Sequence, residues 1–218
     1  MIHYHIWNKK EANVFYQSLR DQLTINEIQL YIPIMSLYFY IHNTKKSHKR
    51  IDFKRTHYIY QVLETKYMKP YNSNIELTAE VCINHKKHTK QLFGKVLPLL
   101  DPIHFLLNNY NIHHHRNPLL PSNYSFNTFT KLNDMDNMAY IDIFFSYLVS
   151  ELTLSDKNPS FPIYYGSVNG LGSYMYDISD DIDDYKYHKG FNSQYNKNFK
   201  LEVLDDSDDS DDSDDSDD

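Results

Sequence analysis

Lys95 stands in the stretch "LFGKVLPLLDPIHFLL", residues 92–107, a cation inside an otherwise apolar run. Three kinds of chemistry are open to it. An ammonium can neutralise phosphate, or it can pair with a carboxylate, Glu151 or its rival Asp142 on the next long helix. It can also lie at a strand edge, its stem on apolar surface and its head in water. The sequence favours the edge and keeps Lys95 with Glu151 as the candidate nucleotide-binding pair.

Other clusters invite chemistry and meet simpler explanations. His113, His114 and His115, with His104 upstream, suggest a metal. Neighbouring residues on a strand or loop point in different directions, and no carboxylate stands at a favourable helical spacing. Zinc ligands sit at structured intervals with hydrogen-bonded supports, so solvated loop histidines and no metal are expected. The segment "HNTKKSHKRIDFKRTH" (42–57) gathers Lys45, Lys46, Lys49, Arg50, Lys54 and Arg55 near Tyr38, Tyr40, Phe53, Tyr58 and Tyr60. Phosphate contacts with base stacking would need such residues. Asp101-Pro102 is the start of a short helix, since aspartate accepts from unpaired amides and proline suits the first turn.

Charge limits the nucleic-acid reading. The net charge is −7, but the ten aspartates of 205–218 dominate it; without them 19 acids face 22 bases, a balance of +3. A mildly basic body falls short of the footprint expected of nucleic-acid-binding domains, so a solvated hairpin loop is the expectation for 42–57. The "DDSDDSDDSDDSDD" run has no apolar residue and cannot build a core. It offers a polyanion to basic partners, and Ser207, Ser210, Ser213 and Ser216 sit where acid-directed kinases act. Each phosphate would add about −1.5 to −2 charges.

The single cysteine, Cys82, excludes an intrachain disulfide and a cysteine-based zinc site. It alternates to the polar side of its strand and reads as an inert thiol. The most apolar window, "IQLYIPIMSLYFYI" (28–41), is shorter than the roughly 20 residues of a membrane span. The opening "MIHYHIWNKKEANVF" turns charged too early for a signal peptide. A soluble, non-secreted protein without membrane contact is expected. With only 3 alanines, 5 glycines and 4 arginines against 20 tyrosines and 20 asparagines, the composition points to an AT-rich coding background.

The elements that must position these residues follow from periodicity. Val14, Phe15, Leu19 and Leu23 predict an amphipathic helix over 9–23. "YIYQVLETKYM" (58–68) is rich in strand formers. Ile75, Leu77, Ala79, Val81 and Ile83 alternate with polar residues in the clearest strand, 74–84. A polar link, "HKKHTK", leads to a second strand, "QLFGKVLPLL", and the two form an antiparallel hairpin. A short helix follows Asp101-Pro102. Ile141, Phe144, Phe145, Leu148 and Leu152 mark the inward face of a long helix capped by Asp134 or Asp136. Around Asn169-Gly170, "FPIYYGSVNGLGSYMYDI" reads as a further hairpin. The sum is an α+β domain over 1–200, an antiparallel sheet with one long packed helix and shorter ones, followed by a disordered acidic tail over 201–218.

Taken in order, "PLLDPIHFL", "NMAYIDIFFSYLVSEL" and "FPIYYGSVNG" resemble uncharacterised proteins of giant DNA viruses of the mimivirus type, some loosely likened to viral protein kinases. The likeness covers about residues 92–184. It implies a viral protein of the host cytoplasm or virion whose partner is a viral or host protein. In a kinase small lobe a strand lysine meets the nucleotide phosphates and a helix glutamate, roles that the resemblance would give to Lys95 and Glu151. No glycine-rich loop precedes Lys95, because Gly94 is the first glycine in the chain. "HHHRN" sets Asn117 where a catalytic aspartate would follow His-Arg, and no Asp-Phe-Gly supplies a metal-binding aspartate. The implied function is a non-catalytic, small-lobe-like binding protein without cofactor. The alternatives are a nucleotide-binding or phosphotransferase lobe working with a separate subunit, and weak nucleic-acid association through 45–57.

Overall fold

The computed structural model describes residues 8–23, 25–30, 32–34, 56–67, 74–110, 119–122 and 129–203. The basic segment around Lys45 to Arg55, the histidines 113–115 and the serines 207, 210, 213 and 216 lie outside these residues. The architecture is α+β. Contacts divide the chain into two compact units, Met1–Pro102 with His113–Asp177 and Ile103–Ile112 with Ile178–Asp218.

The larger unit begins with α1, Lys9–Leu23. Asn8 opens it with a capping box: Glu11 N–H donates to Asn8 Oδ1 at 3.0 Å and Asn8 N–H to Glu11 Oε2 at 3.2 Å. Two otherwise unpaired amides are satisfied in this way. Phe15 and Leu19, one turn apart, are the buried residues of α1. They form a core with Val62, Ile75 and Leu77, to which Ile59, Leu92, Val96 and Val168 add partly buried surface.

That core lies on a three-stranded antiparallel sheet in the order β2–β3–β4. The strands are β2, His57–Tyr67; β3, Asn74–Ile83; and β4, Lys86–Lys95. The alternation predicted for β3 is present: Ile75, Leu77, Ala79 and Val81 are buried, the last two completely. Cys82 departs from it. It is buried rather than polar-facing, because Tyr58 lies directly opposite on β2 and covers it.

The polar stretch expected to link β3 to the next strand is itself that strand. Asn84 and His85 both have positive φ, 49° and 68°, and Ile83 pairs with Lys86. Two left-handed residues make the two-residue hairpin whose twist matches its strands. The strand therefore ends at Lys95, not at Leu100. Its polar half was misleading because an edge strand beyond the core has no face to bury: Lys86 to Gln91 are all exposed. Gly94 falls on the core face, where a Cβ would stand 2.6 Å from Ile75 Cγ1.

A second small sheet pairs β1, Asn26–Gln29, with β5, Asn169–Leu171. Asn169-Gly170 is thus not a hairpin turn. A Cβ on Gly170 would lie 2.1 Å from Ile25 Cγ2, so the glycine serves close packing between two strands.

Helices α2, Pro102–Leu106, and α3, Thr130–Asn133, are short. The long helix α4 runs Met138–Leu154. Its cap is Asn137, whose Oδ1 accepts from Ala139 N–H, and not Asp134 or Asp136. Asp134 instead accepts from Asp136 N–H in the preceding turn. Asn137 Nδ2 also donates to Leu99 O at 2.9 Å and Lys131 O at 3.1 Å, a double anchorage a carboxylate could not supply.

The smaller unit holds α5, Ile182–Tyr185, and α6, Lys189–Gln194. Phe191 is buried against Phe199, with ring centroids 4.8 Å apart. Gly190 lets α6 approach Leu107, whose carbonyl oxygen would be 2.0 Å from a Cβ.

Candidate functional site

Helix α4 turns out to present its aliphatic side outward. Its buried residues are Ala139, Tyr140, Tyr147, Val149 and Ser150. Polar tips hold that face in place. Tyr140 Oη donates to Leu132 O at 2.7 Å, and Ser150 Oγ accepts from Tyr164 N–H at 2.9 Å. Tyr147 meets the Tyr164 ring edge-on at 5.7 Å. Buried tyrosines and serines with satisfied hydroxyls suit an interior well.

Of the five residues expected to face the core, Phe144 is half-buried and Ile141, Phe145, Leu148 and Leu152 are on the surface, joined there by Met138 one turn earlier. Met138 is 73% exposed and Phe145 60%, and Ile141, Leu148 and Leu152 are more than a third exposed. Positions 138, 141, 145, 148 and 152 alternate steps of three and four, the spacing of a seam between two helices. The helix is apolar on nearly every side, so periodicity alone could not choose which face turns inward.

Lys95, the last residue of β4, reaches this helix. Its Nζ donates to Asp142 Oδ1 at 3.2 Å, and both side chains are nearly half exposed. The partner is thus the rival carboxylate and not Glu151. Glu151 stands nine residues further along α4, about 14 Å along the axis at 1.5 Å per residue. The pair joins the end of the sheet to the first turns of the helix. Phe93, two residues earlier on β4, is 67% exposed. Asp142 is flanked by Ile141 and, one turn on, Phe145, so the corner combines an ion pair with exposed apolar groups.

The other face-to-face charges lie across the sheet. Lys87 Nζ is 2.9 Å from Glu80 Oε2 and sits 3.3 Å from the centroid of the Tyr60 ring. Burial pulls the Lys87 ammonium down, but the Glu80 hydrogen bond and charge outweigh it and the group ends above the usual lysine range. On the same face, in line with Cys82 and Lys87, Tyr58 is pushed well above the ordinary tyrosine range, first by burial and then by its hydrogen bond to Cys82. No group of three or more metal-ligating side chains occurs among the described residues. Among them, no helix is long and apolar enough to cross a membrane.

Asp101 and Pro102 stand at the start of α2, as the dipeptide predicts. His104 lies on α2 with its ring 6.0 Å from that of Tyr110. The sequence missed the corner itself. Phe93 is only one residue of the expected strand "QLFGKVLPLL", and Ile141, Phe145, Leu148 and Leu152 are expected in the core. No protein-family model, curated protein or solved structure matches the chain.

Proposed function

We propose that this is a non-catalytic interaction protein whose α4 stripe receives an amphipathic helix of a partner. One observation carries the reading. Met138, Ile141, Phe145, Leu148 and Leu152 are exposed at seam spacing on a helix whose other side is firmly anchored. A rigid apolar stripe rimmed by an ion pair favours association, because burying it recovers roughly 25 cal/mol per Å². The resemblance to giant-virus proteins is in keeping with a partner of viral or host origin.

The test is partner capture by the full chain against a Phe145→Glu, Leu148→Glu double variant. Both positions are exposed, so the variant should melt within a few degrees of the parent, as surface changes usually do. Helical partners retained by the parent should be lost from the variant. An unchanged set and yield of partners would remove α4 from the proposal. A nucleotide-binding lobe would behave differently: millimolar ATP would raise the melting temperature, and Lys95→Ala would abolish the rise. Such a result would overturn the non-catalytic reading.

A further inference from the structure

A different part of the same unit, strand β4, has an edge whose backbone groups are open over most of its length. Strand β4 pairs with β3 on one side and, among the described residues, with no strand on the other. In an antiparallel pair, alternate residues exchange hydrogen bonds with the neighbour while those between them turn their N–H and C=O away. The two-residue turn sets the phase, since Ile83 and Lys86 close the hairpin. Residues 86, 88, 90, 92 and 94 then bond to β3. Lys87, Thr89, Gln91, Phe93 and Lys95 direct their backbone groups to the open edge. All five are exposed.

The composition of that edge selects its occupant. "KKHTKQLFGK" holds Lys86, Lys87, Lys90, Lys95 and His88, with no acid. Lys87 and Lys95 are already engaged with Glu80 and Asp142. Lys86 and Lys90 are exposed and make no ion pair among the described residues. They project on the same side of the strand, four residues or about 13 Å apart. Edge lysines normally prevent sheets from joining, and here they do so for a second copy, whose β4 would set lysine against lysine. The same charges favour a strand carrying carboxylates at every second residue. A nucleic acid could answer the charge, but its backbone has no alternating donors and acceptors to meet the open edge.

We infer that the free edge of β4 takes up an extended acidic segment of a partner protein by strand addition, its carboxylates lying against Lys86 and Lys90. Strand addition draws affinity from main-chain hydrogen bonds and specificity from alternate side chains.

The full chain would be titrated with a fluorescein-labelled peptide of alternating glutamate and valine or threonine, read by anisotropy at low salt. Saturable binding is expected. It should weaken by about tenfold or more in a Lys86→Glu, Lys90→Glu variant, as charge pairing across an interface is reversed. A peptide of the same sequence, N-methylated at alternate residues, should lose binding to a similar degree. Amide exchange should slow at Lys87, Thr89 and Gln91 on peptide addition. Equal binding of the N-methylated peptide would mean attraction by charge alone and would overturn the proposal. So would equal or tighter binding of a single-stranded oligonucleotide of matched charge, or no saturable binding. Because Lys86 and Lys90 are exposed, the charge-reversed protein should keep its melting temperature; a Thr89→Pro variant, which deletes one outward donor, provides a second test that leaves the charges in place.

Discussion

The two outer strands of the β2–β3–β4 sheet are finished in opposite ways. The free side of β2 is met by hydrogen-bonding groups from elsewhere in the unit. Val62 N–H donates to Ser18 Oγ at 3.0 Å, Thr65 Oγ1 donates to Gln22 O at 2.8 Å, and Ile59 N–H donates to Tyr165 O at 3.3 Å. Among the described residues the outward backbone groups of β4 have no such cover; only the Lys95 side chain reaches Asp142 at the strand's end, and the strand carries lysine instead. An unpaired edge must be satisfied or protected, and one sheet uses both solutions. Covering an edge ties it to the core and makes it costly to disturb. Charging an edge leaves it accessible and cheap to alter.

The contrast is calibrated by the strand between the two edges. Leu77 on β3 belongs to the core shared by α1 and all three strands. Leu77→Ala should cost about 2–5 kcal/mol, the range for truncating a buried leucine. Urea denaturation of the parent and variant would measure it. A loss below about 1 kcal/mol would show that the α1 side of the sheet does not hold the unit together.

The edges themselves come next. Ser18 Oγ accepts from Val62 N–H and donates to Phe15 O at 2.8 Å, so it links helix to strand. Ser18→Ala leaves a partly buried amide without a partner and should cost about 1–3 kcal/mol. Gln91→Ala on β4 should stay within about 0.5 kcal/mol. Equal losses in denaturant midpoint would erase the distinction between the edges.

The sequence showed one of these edges more clearly than the other. The alternation of β3 was readable because one face is buried and the other wet. The helix over 9–23 was readable because Val14, Phe15, Leu19 and Leu23 stand near helical spacing among polar residues. Strand β4 was half hidden: "KKHTK" has no hydrophobic period, and only the left-handed conformation of Asn84 and His85 makes it a strand. The cover on β2 depends on Ser18, Gln22 and Tyr165, residues over forty or one hundred positions away from their partners, and no local pattern reports such contacts. Helix α4 was found, but most of its expected inward face lies outside, because the Tyr140 hydroxyl bonded to Leu132 O and the Tyr147 ring packed on Tyr164 let two tyrosines replace aliphatic residues inside. The Lys95–Glu151 pair failed for a geometric reason: β4 ends beside the first turns of α4, where Asp142 is the carboxylate in reach.

Alkaline titration should separate the buried Tyr58 of strand β2 from the exposed strand β4 on one face of the sheet. Tyr58 is held neutral by burial and by Cys82, so its folded-state pKa lies above the unfolded value of about 10. A raised pKa contributes stability that is fully present below about pH 10. It is lost as pH rises further, because the unfolded chain then releases a proton that the folded chain retains. Lys87, raised by Glu80 despite its partial burial, loses its contribution in the same direction. Denaturant midpoints should be flat from neutral pH to about 9.5 and fall above 10. Tyr58→Phe should lessen that fall more than Lys87→Met, since Lys87 is nearly half exposed and screened by water. The opposite order would place the pH sensitivity on the open edge.

The smallest effect belongs to Lys95, and its size decides what kind of residue it is. The pair with Asp142 is half exposed at both ends. Such pairs contribute about 0–1 kcal/mol and weaken with salt, so Lys95→Ala should shift the unfolding midpoint only slightly, and less still in high salt. If the pair merely trims the open end of β4, Asp142→Ala should match Lys95→Ala, and the double variant should show no more than their coupling. If Lys95→Ala instead destabilises the fold by more than about 2 kcal/mol, the ammonium must be satisfying something beyond one surface carboxylate. The β4 end of the sheet would then be as firmly tied as the β2 edge, and the division between a covered edge and a charged one would fail where β4 meets α4.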